Sequence, residues 1–372
     1  MGNSIPICYH IPMLDKKLRI QFILPGAGIS GGVKVVYEYA NRLQARGHTV
    51  TIVYPGTMKP KTDSPLWAVE ARLRQGKYFY QRLIGYTEAS WFPLNVPLVR
   101  VPSLEARYIS AADVVIATAN ETADWVAQLP ARCGSKFYFI QGFEDWARPA
   151  KEVIATYSLP MRHIVISSFL RDLVERHTER PVAATILNGV DTTIFFNAAK
   201  KLNQPRRLLM LSHHDENKGV SDGFEALQSV RKIFPEVTLT MFGAKTARPD
   251  MPKDTFFVQA PTSSKLRELY STSDIFISPS RNEGFSLTPM EAMACGTAVV
   301  TTRVGAVPDY AIAGKTAIVV PAGNPDELAA GIISLLSNED LLLSVSQEGH
   351  DYVQKFTWEK SADQFEETLL AT

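Results

Sequence analysis

Cysteine is scarce in this chain: three residues in 372, at Cys8, Cys133 and Cys295. Their scatter excludes a disulfide-stapled module, offers no paired metal ligands and fits a reducing compartment. Long apolar runs are missing too, with none near the roughly 18 residues expected of a spanning helix. The opening stretch, Met1 to Pro6, lacks the charged-then-apolar layout of a secretory signal, and Pro6 stands where a myristoylation site wants Ser or Thr. A cytoplasmic protein is expected. Asp-x-Asp does not occur, so the usual carboxylate pair for a nucleotide-bound metal is missing and no metal is expected.

What is present has globular proportions, 45% hydrophobic and 21% charged residues. A length of 372 residues supplies material for about two domains. The net charge of +1 conceals an asymmetry: residues 1–187 carry 22 basic against 15 acidic side chains, and the remainder 17 against 23. A basic front half and an acidic back half suggest two bodies with different partners.

Apolar periodicity places those bodies in the α/β class. Leu18–Leu24 reads as a buried strand, followed by a glycine-rich turn, a helix over Val33–Arg46 with Val36, Tyr39, Ala40 and Leu43 on one side, and a strand over Thr49–Tyr54. Further strands are expected at Asp113–Ala117, Lys136–Ile140 and His163–Ser167. The back half repeats the plan with strands at Arg207–Leu211, Val237–Phe242, Ile275–Ser278, Ala298–Thr301 and Ala317–Val320. Its helices are expected at Ser221–Ile233 and about Leu287–Ala294, with two more closing the chain. Crossovers of this length imply parallel, doubly wound sheets. The polar stretch between Phe196 and Arg207 marks the boundary. Residues 1–197 and 206–352 are then two domains facing across a cleft, with 353–372 a closing helix that packs back on the first.

Gly26-Ala-Gly-Ile-Ser-Gly31 is a literal G-x-G-x-x-G between a strand and a helix. Glycines there let the backbone approach a phosphate at a helix start. A dinucleotide site also needs an acid near the end of the second strand, yet none follows until Asp63. Three readings stay open: an anion near Gly31 and Gly32, a tight turn without ligand, and an NAD site.

The most informative segment runs from Ser280 to Gly296. Glu283 falls in the loop after a strand, and Gly284 permits a close turn. Pro289 suits a first helical turn. Ser286 to Thr288 would then offer free backbone N–H groups at a positive helix end, with Glu291 a turn further on. One loop thus supplies two carboxylates for hydroxyls and a cradle for an anion, the needs of a sugar–diphosphate–nucleoside.

Glu283, seven residues and Glu291, within E-G-F-S-L-T-P-M-E-A-M-A-C-G, resemble the E-x7-E segment of the GT4 family of retaining glycosyltransferases. Gly31-Gly32-Val33, Arg46-Gly47-His48, Asn188-Gly189-Val190-Asp191, Lys218-Gly219 and Val304 to Asp309 are similar to other pieces of that family, in the same order over roughly residues 18–330. The resemblance implies the GT-B fold, two Rossmann-like domains across a cleft, and transfer of a sugar from a nucleoside-diphosphate sugar to a glycan or lipid-linked acceptor without a cofactor. It implies that Glu283 contacts the donor sugar and Glu291 the ribose. Backbone groups of Gly284, Phe285 and Ser286 would line the sugar, and those of Leu287 and Thr288 the diphosphate. Lys218 would neutralise the leaving diphosphate, the Gly31 and Gly32 amides would approach from the first domain, and the backbone at Phe257 and Val258 would hold the base.

The chain departs from the family at three places. An arginine about five residues before Lys218 is replaced by Ser212-His213-His214, with His213 a partial substitute. The first-domain histidine is missing from Ala117-Thr-Ala-Asn-Glu121. A usual glycine is Ala317. Tyr138 to Trp146 resembles bacterial polysaccharide and rhamnosyl-type members, and within reach of that stretch Glu121 and Glu144 are candidate acceptor contacts. Cations and rings interleave between Lys59 and Trp91, as in segments that lie on an anionic membrane. Peripheral contact at the inner face of the membrane is therefore expected. No base-reading motif is present, and nucleic acid is not expected as a partner. The alternatives are an NAD-dependent oxidoreductase and a non-catalytic subunit that binds nucleotide-sugar.

Overall fold

The computed structural model describes residues 16–56, 91–146, 148–196 and 201–371. The first apolar run forms β1 (Arg19–Ile23) and returns through α1 (Gly31–Ala45) to β2 (Thr49–Pro55). Ser30 starts α1 by accepting a hydrogen bond from the Val33 amide at 3.2 Å. Gly47, at φ +92°, turns the chain out of it. There follow β3 (Leu98–Val101), β4 (Val114–Ala117), α2 (Asn120–Ala127), β5 (Ser135–Ile140), α3 (Ala150–Tyr157), β6 (Arg162–Val165), α4 (Ser168–Thr178) and β7 (Ala184–Thr185). The strands make one parallel sheet in the order β3-β2-β1-β4-β5-β6-β7.

The second sheet repeats this winding. β8 (Arg207–Leu211), α5 (Val220–Arg231), β9 (Thr238–Gly243), β10 (Phe256–Gln259), α6 (Ser263–Ser271), β11 (Ile275–Ser278), α7 (Leu287–Ala294), β12 (Ala298–Thr302), α8 (Val307–Tyr310) and β13 (Ile318–Val320) follow in order. The parallel strands are arranged β10-β9-β8-β11-β12-β13. In both sheets the order reverses beside the first strand, between β1 and β4 and between β8 and β11. Ligands of open α/β sheets lie beyond the carboxyl ends of the strands at such switch points.

Three helices close the chain where two were expected: α9 (Pro325–Ser337), α10 (Glu339–Val353) and α11 (Trp358–Leu370). Asn338 separates the first two, and its side chain caps α10 by accepting from the Leu341 amide. No single helix among the described residues is long and apolar enough to cross a membrane.

α11 packs on α1, which explains another departure from expectation. The periodicity of α1 predicts one apolar side, yet Val35 through Ala40 are all buried. The sheet covers one side, and the Tyr39 ring stacks on Phe365 of α11 at 4.4 Å. Ion pairs frame this contact, from Arg42 to Glu359 at 2.8 Å and from Arg46 to Glu366 at 2.9 Å. The chain crosses between the sheets twice, after β7 and before α11. The crossings lie side by side, with the Val190 amide donating to the Phe356 carbonyl at 2.9 Å. One apolar core runs from the first sheet through Phe195 and Trp358 to the α7 face of the second. The other face forms its own core under α5 and α9.

Candidate active site

Two loops at the second switch point carry the charged groups. After β8 the chain makes a short turn over Glu216–Lys218, started by Asp215, whose carboxylate accepts from the Asn217 amide at 2.9 Å. Gly219 follows at φ +60°, and a Cβ there would lie 1.9 Å from the Pro279 carbonyl oxygen. Only glycine lets this turn press against the loop after β11. The Asn217 carbonyl in turn accepts from the amides of Arg281 and Asn282 at 2.7 and 3.2 Å. Stitched in this way, the loops bring Lys218 Nζ within 2.8 Å of both Glu283 oxygens, while Ser280 Oγ donates to Glu283 Oε1 at 2.9 Å.

The chain then enters α7. Gly284 passes so close to the first unit that a Cβ on it would sit 1.9 Å from the Gln141 carbonyl oxygen. Phe285 is buried and packs on Tyr310, with ring centroids 5.5 Å apart, so only its backbone can line a site. Ser286 is left-handed at φ +71°, its carbonyl accepts from Tyr310 OH at 3.1 Å, and it lends α7 no side-chain cap. The amides of Leu287 and Thr288, at the first two positions, therefore have no partner within the helix. Glu291 lies one turn on and is 5% exposed. Its Oε1 accepts from Lys34 Nζ at 2.8 Å and its Oε2 from Tyr270 OH at 3.3 Å. Burial, and then the Glu291 charge, push the Tyr270 hydroxyl well above its ordinary range.

Lys34 belongs to α1, in the first unit, and crosses the cleft to make this pair. Partial burial works against its charge, but Glu291 first and Glu38 and Asp191 after it hold its pKa above the ordinary lysine value. The ammonium also sits 5.7 Å from the centre of the Phe195 ring. Sequence reasoning missed Lys34, although one signal was available: a cation in the opening turns of a helix opposes the helix dipole. The Ser168 amide donates to Asp309 Oδ2 at 2.9 Å and makes a further bond across the cleft.

Two cavities open between the units. One, of about 140 Å3, is lined by Lys218, Glu283, Gly284 and Asn217 from the second unit and by Phe143 and Trp146 from the first. The other, of about 290 Å3, is lined by Lys34, Asp191, Phe195, Ser263, Leu287 and Glu291 among others. Among the described residues no three His, Cys, Asp or Glu side chains gather as a metal site.

The remaining candidates lie elsewhere or face other partners. Gly31 and Gly32 form the first turn of α1, Gly32 against the Gln141 side chain, and neither borders either cavity. His213 is turned into its own loop, where Nδ1 accepts from the Asp215 amide at 3.1 Å. Burial and the nearby Lys218 lower its pKa, which opposes a cationic role in place of a guanidinium. Phe257 and Val258 lie in the edge strand β10 and line neither cavity. Glu121 opens α2. Glu144 caps that helix, accepting from the Asn120 amide at 2.7 Å and from Asn120 Nδ2 at 3.0 Å. Burial pushes the Glu144 carboxyl up to about 7, and Glu121 adds to the shift. The basic and aromatic stretch from Lys59 lies outside the described residues except for Trp91, which lines the larger cavity.

Residues 191–351 match the family described as glycosyl transferases group 1. Over 382 aligned positions, 93% of this chain and 95% of the relative, the chain is 27% identical to a phosphatidyl-myo-inositol mannosyltransferase of Mycobacterium tuberculosis. HepE of Anabaena, solved in complex with UDP-glucose, has a similar fold at a TM-score of 0.71 and 14% identity, over 95% of this chain and all of HepE. Sucrose-phosphate synthase from Thermosynechococcus elongatus gives a TM-score of 0.69 at 18% identity, covering 94% of this chain and 98% of the synthase.

Proposed function

The chain is a GT4-like glycosyltransferase with the GT-B fold, and we propose that it moves a sugar from a nucleoside-diphosphate sugar to a glycan or lipid-linked acceptor, with retention and without a metal. The observation that carries this reading is the Lys218–Glu283 pair beside the uncapped start of α7. The carboxylates accept from sugar and ribose hydroxyls, and Lys218 and the Leu287 and Thr288 amides meet the charge of the diphosphate.

In the transfer, the bond between the anomeric carbon and the β-phosphate oxygen breaks and its electron pair stays on that oxygen. The acceptor hydroxyl attacks the carbon from the same face, and its proton passes to the leaving phosphate. Charge grows on the diphosphate as the bond stretches, so fixed cations and amides aimed there lower the barrier. HepE, of similar fold, binds UDP-glucose, which supports a nucleotide-sugar donor. The name of the mycobacterial relative, with a phosphatidyl acceptor, supports a lipid-borne one. The basic front half fits an acceptor presented at the inner face of a membrane.

Thermal unfolding of the purified protein with UDP, GDP, dTDP or NAD tests the donor reading. One diphosphate is expected to raise the midpoint and Glu291→Ala to remove the rise, because ligand bound only by the folded state stabilises it. A rise with NAD alone would sink the reading. Transfer of labelled sugar is expected to survive EDTA.

A further inference from the structure

The two carboxylates of the E-x7-E spacing each hold a lysine at 2.8 Å: Glu283 holds Lys218 of its own unit, and Glu291 holds Lys34 of the other. Lys34 has an unusual position for a cation, close after Gly31–Gly32 in α1 and 30% exposed. Its ammonium does not reach Glu291 by chance of surface packing, since the side chain it meets is itself only 7% exposed. Helical side chains lean toward the turn preceding their own Cα. The Glu291 carboxylate therefore overlies the opening of α7, four residues earlier, and carries the ammonium there with it. Leu287, Glu291 and Lys34 line one cavity. The loop after β8, by contrast, offers Lys218, which lines the other cavity beside Glu283 and Gly284, while the His213 Nδ1 is taken up by the Asp215 amide.

We propose that Lys34 is the second cation of the donor diphosphate, supplied from the opposite domain. The inference rests on the donor reading above. When a nucleoside diphosphate occupies the cleft, the ribose diol donates to Glu291, and the diphosphate at the Leu287 and Thr288 amides takes the ammonium. Each lysine thus exchanges a carboxylate for a phosphate oxygen, and each carboxylate exchanges a lysine for hydroxyls. The two ammonium groups then face the negative charge of the diphosphate, and the carboxylates are left with hydroxyls as their partners. Because Lys34 rides on the first unit, the negative charge of the donor also pulls the two units together, which a cation in the second unit cannot do.

The test is calorimetric titration of wild type, Lys34→Met, Lys34→Arg and Lys218→Met with UDP, GDP and dTDP and with the matching nucleosides. For the diphosphate that wild type binds, Lys34→Met is expected to weaken affinity at least tenfold while nucleoside affinity does not fall, with Lys34→Arg restoring most of the loss. Should Lys34→Met tighten both ligands, Lys34 merely competes for Glu291 and the proposal is wrong. Unchanged diphosphate affinity would also overturn it. If Lys34→Met fails to fold, Lys34→Gln takes its place under the same criteria. If folded wild type binds none of the three diphosphates, the donor reading itself falls and takes the proposal with it. Loss in Lys218→Met without loss in Lys34→Met removes Lys34 alone.

Discussion

Glu283 and Glu291 stand eight positions apart in one segment, yet their surroundings are built in opposite ways. The lysine on Glu283 comes from a loop of the same sheet, fixed by the Gly219 turn and by the Asn217 carbonyl. The lysine on Glu291 comes from α1 of the other unit and is held only while the two units are close. One site is assembled when the second unit folds. The other is assembled when the units meet, so its geometry answers to domain approach as well as to local sequence.

The sharpest way to break this contrast is Glu283→Gln. On the proposed donor reading, the locally assembled site then loses a carboxylate for donor hydroxyls, and Lys218 loses its ion-pair partner. The turnover number is expected to fall on the order of a thousandfold, as hydrogen bonds that strengthen in the transition state supply several kcal/mol. Steady-state transfer kinetics, beside an unchanged unfolding midpoint, would check it. Gly284→Ala strikes the approach of the units instead, since its Cβ would overlap the Gln141 carbonyl. Here kcat/KM is expected to fall about a hundredfold through misplacement of the reacting groups. Small-angle scattering should report a more open molecule, and an unaltered profile would count against the reading.

The smallest effect comes from a carboxylate partnered by amides instead of a lysine. Glu144 titrates at about 7 in the folded chain, against roughly 4.3 for a free glutamate. The folded state binds its proton more tightly, so this group's contribution is fully present below the unfolded value. It declines as pH rises toward about 7 and is level above that. Glu144→Gln stays neutral in both states, so the wild-type midpoint is expected to fall relative to that of Glu144→Gln between pH 5 and pH 7.5, by on the order of 2 °C. Scanning calorimetry across that interval would show it, and a constant difference would refute the assignment.

Much of the fold was legible because parallel strands buried on both faces leave short, unbroken apolar runs with glycine turns between them. β1, β8 and β11 and the loops after them could be read from their residues alone. α7 could be read because Pro289 and the helical spacing around it are local signals. Lys34 was not legible as a site residue, since nothing within α1 names a carboxylate 257 positions away. The added buried side of α1 was equally silent, as it depends on where α11 docks. Glu144 was read as a candidate acceptor contact, and its bond from the Asn120 amide at the start of α2 was not foreseen. In each case the sequence showed the residue and its charge, and the unstated part was a partner brought in by tertiary packing.

The paired crossings at Val190 and Thr357 have a mechanical consequence. Two covalent links tied together by a backbone hydrogen bond act as the spine of a book. The halves can swing about that line, while sliding or swivelling would tear the backbone bond from Val190 to Phe356. Opening the covers parts the far edge most and the spine least, so groups beside the spine keep their neighbours longest and those at the free edge trade them first.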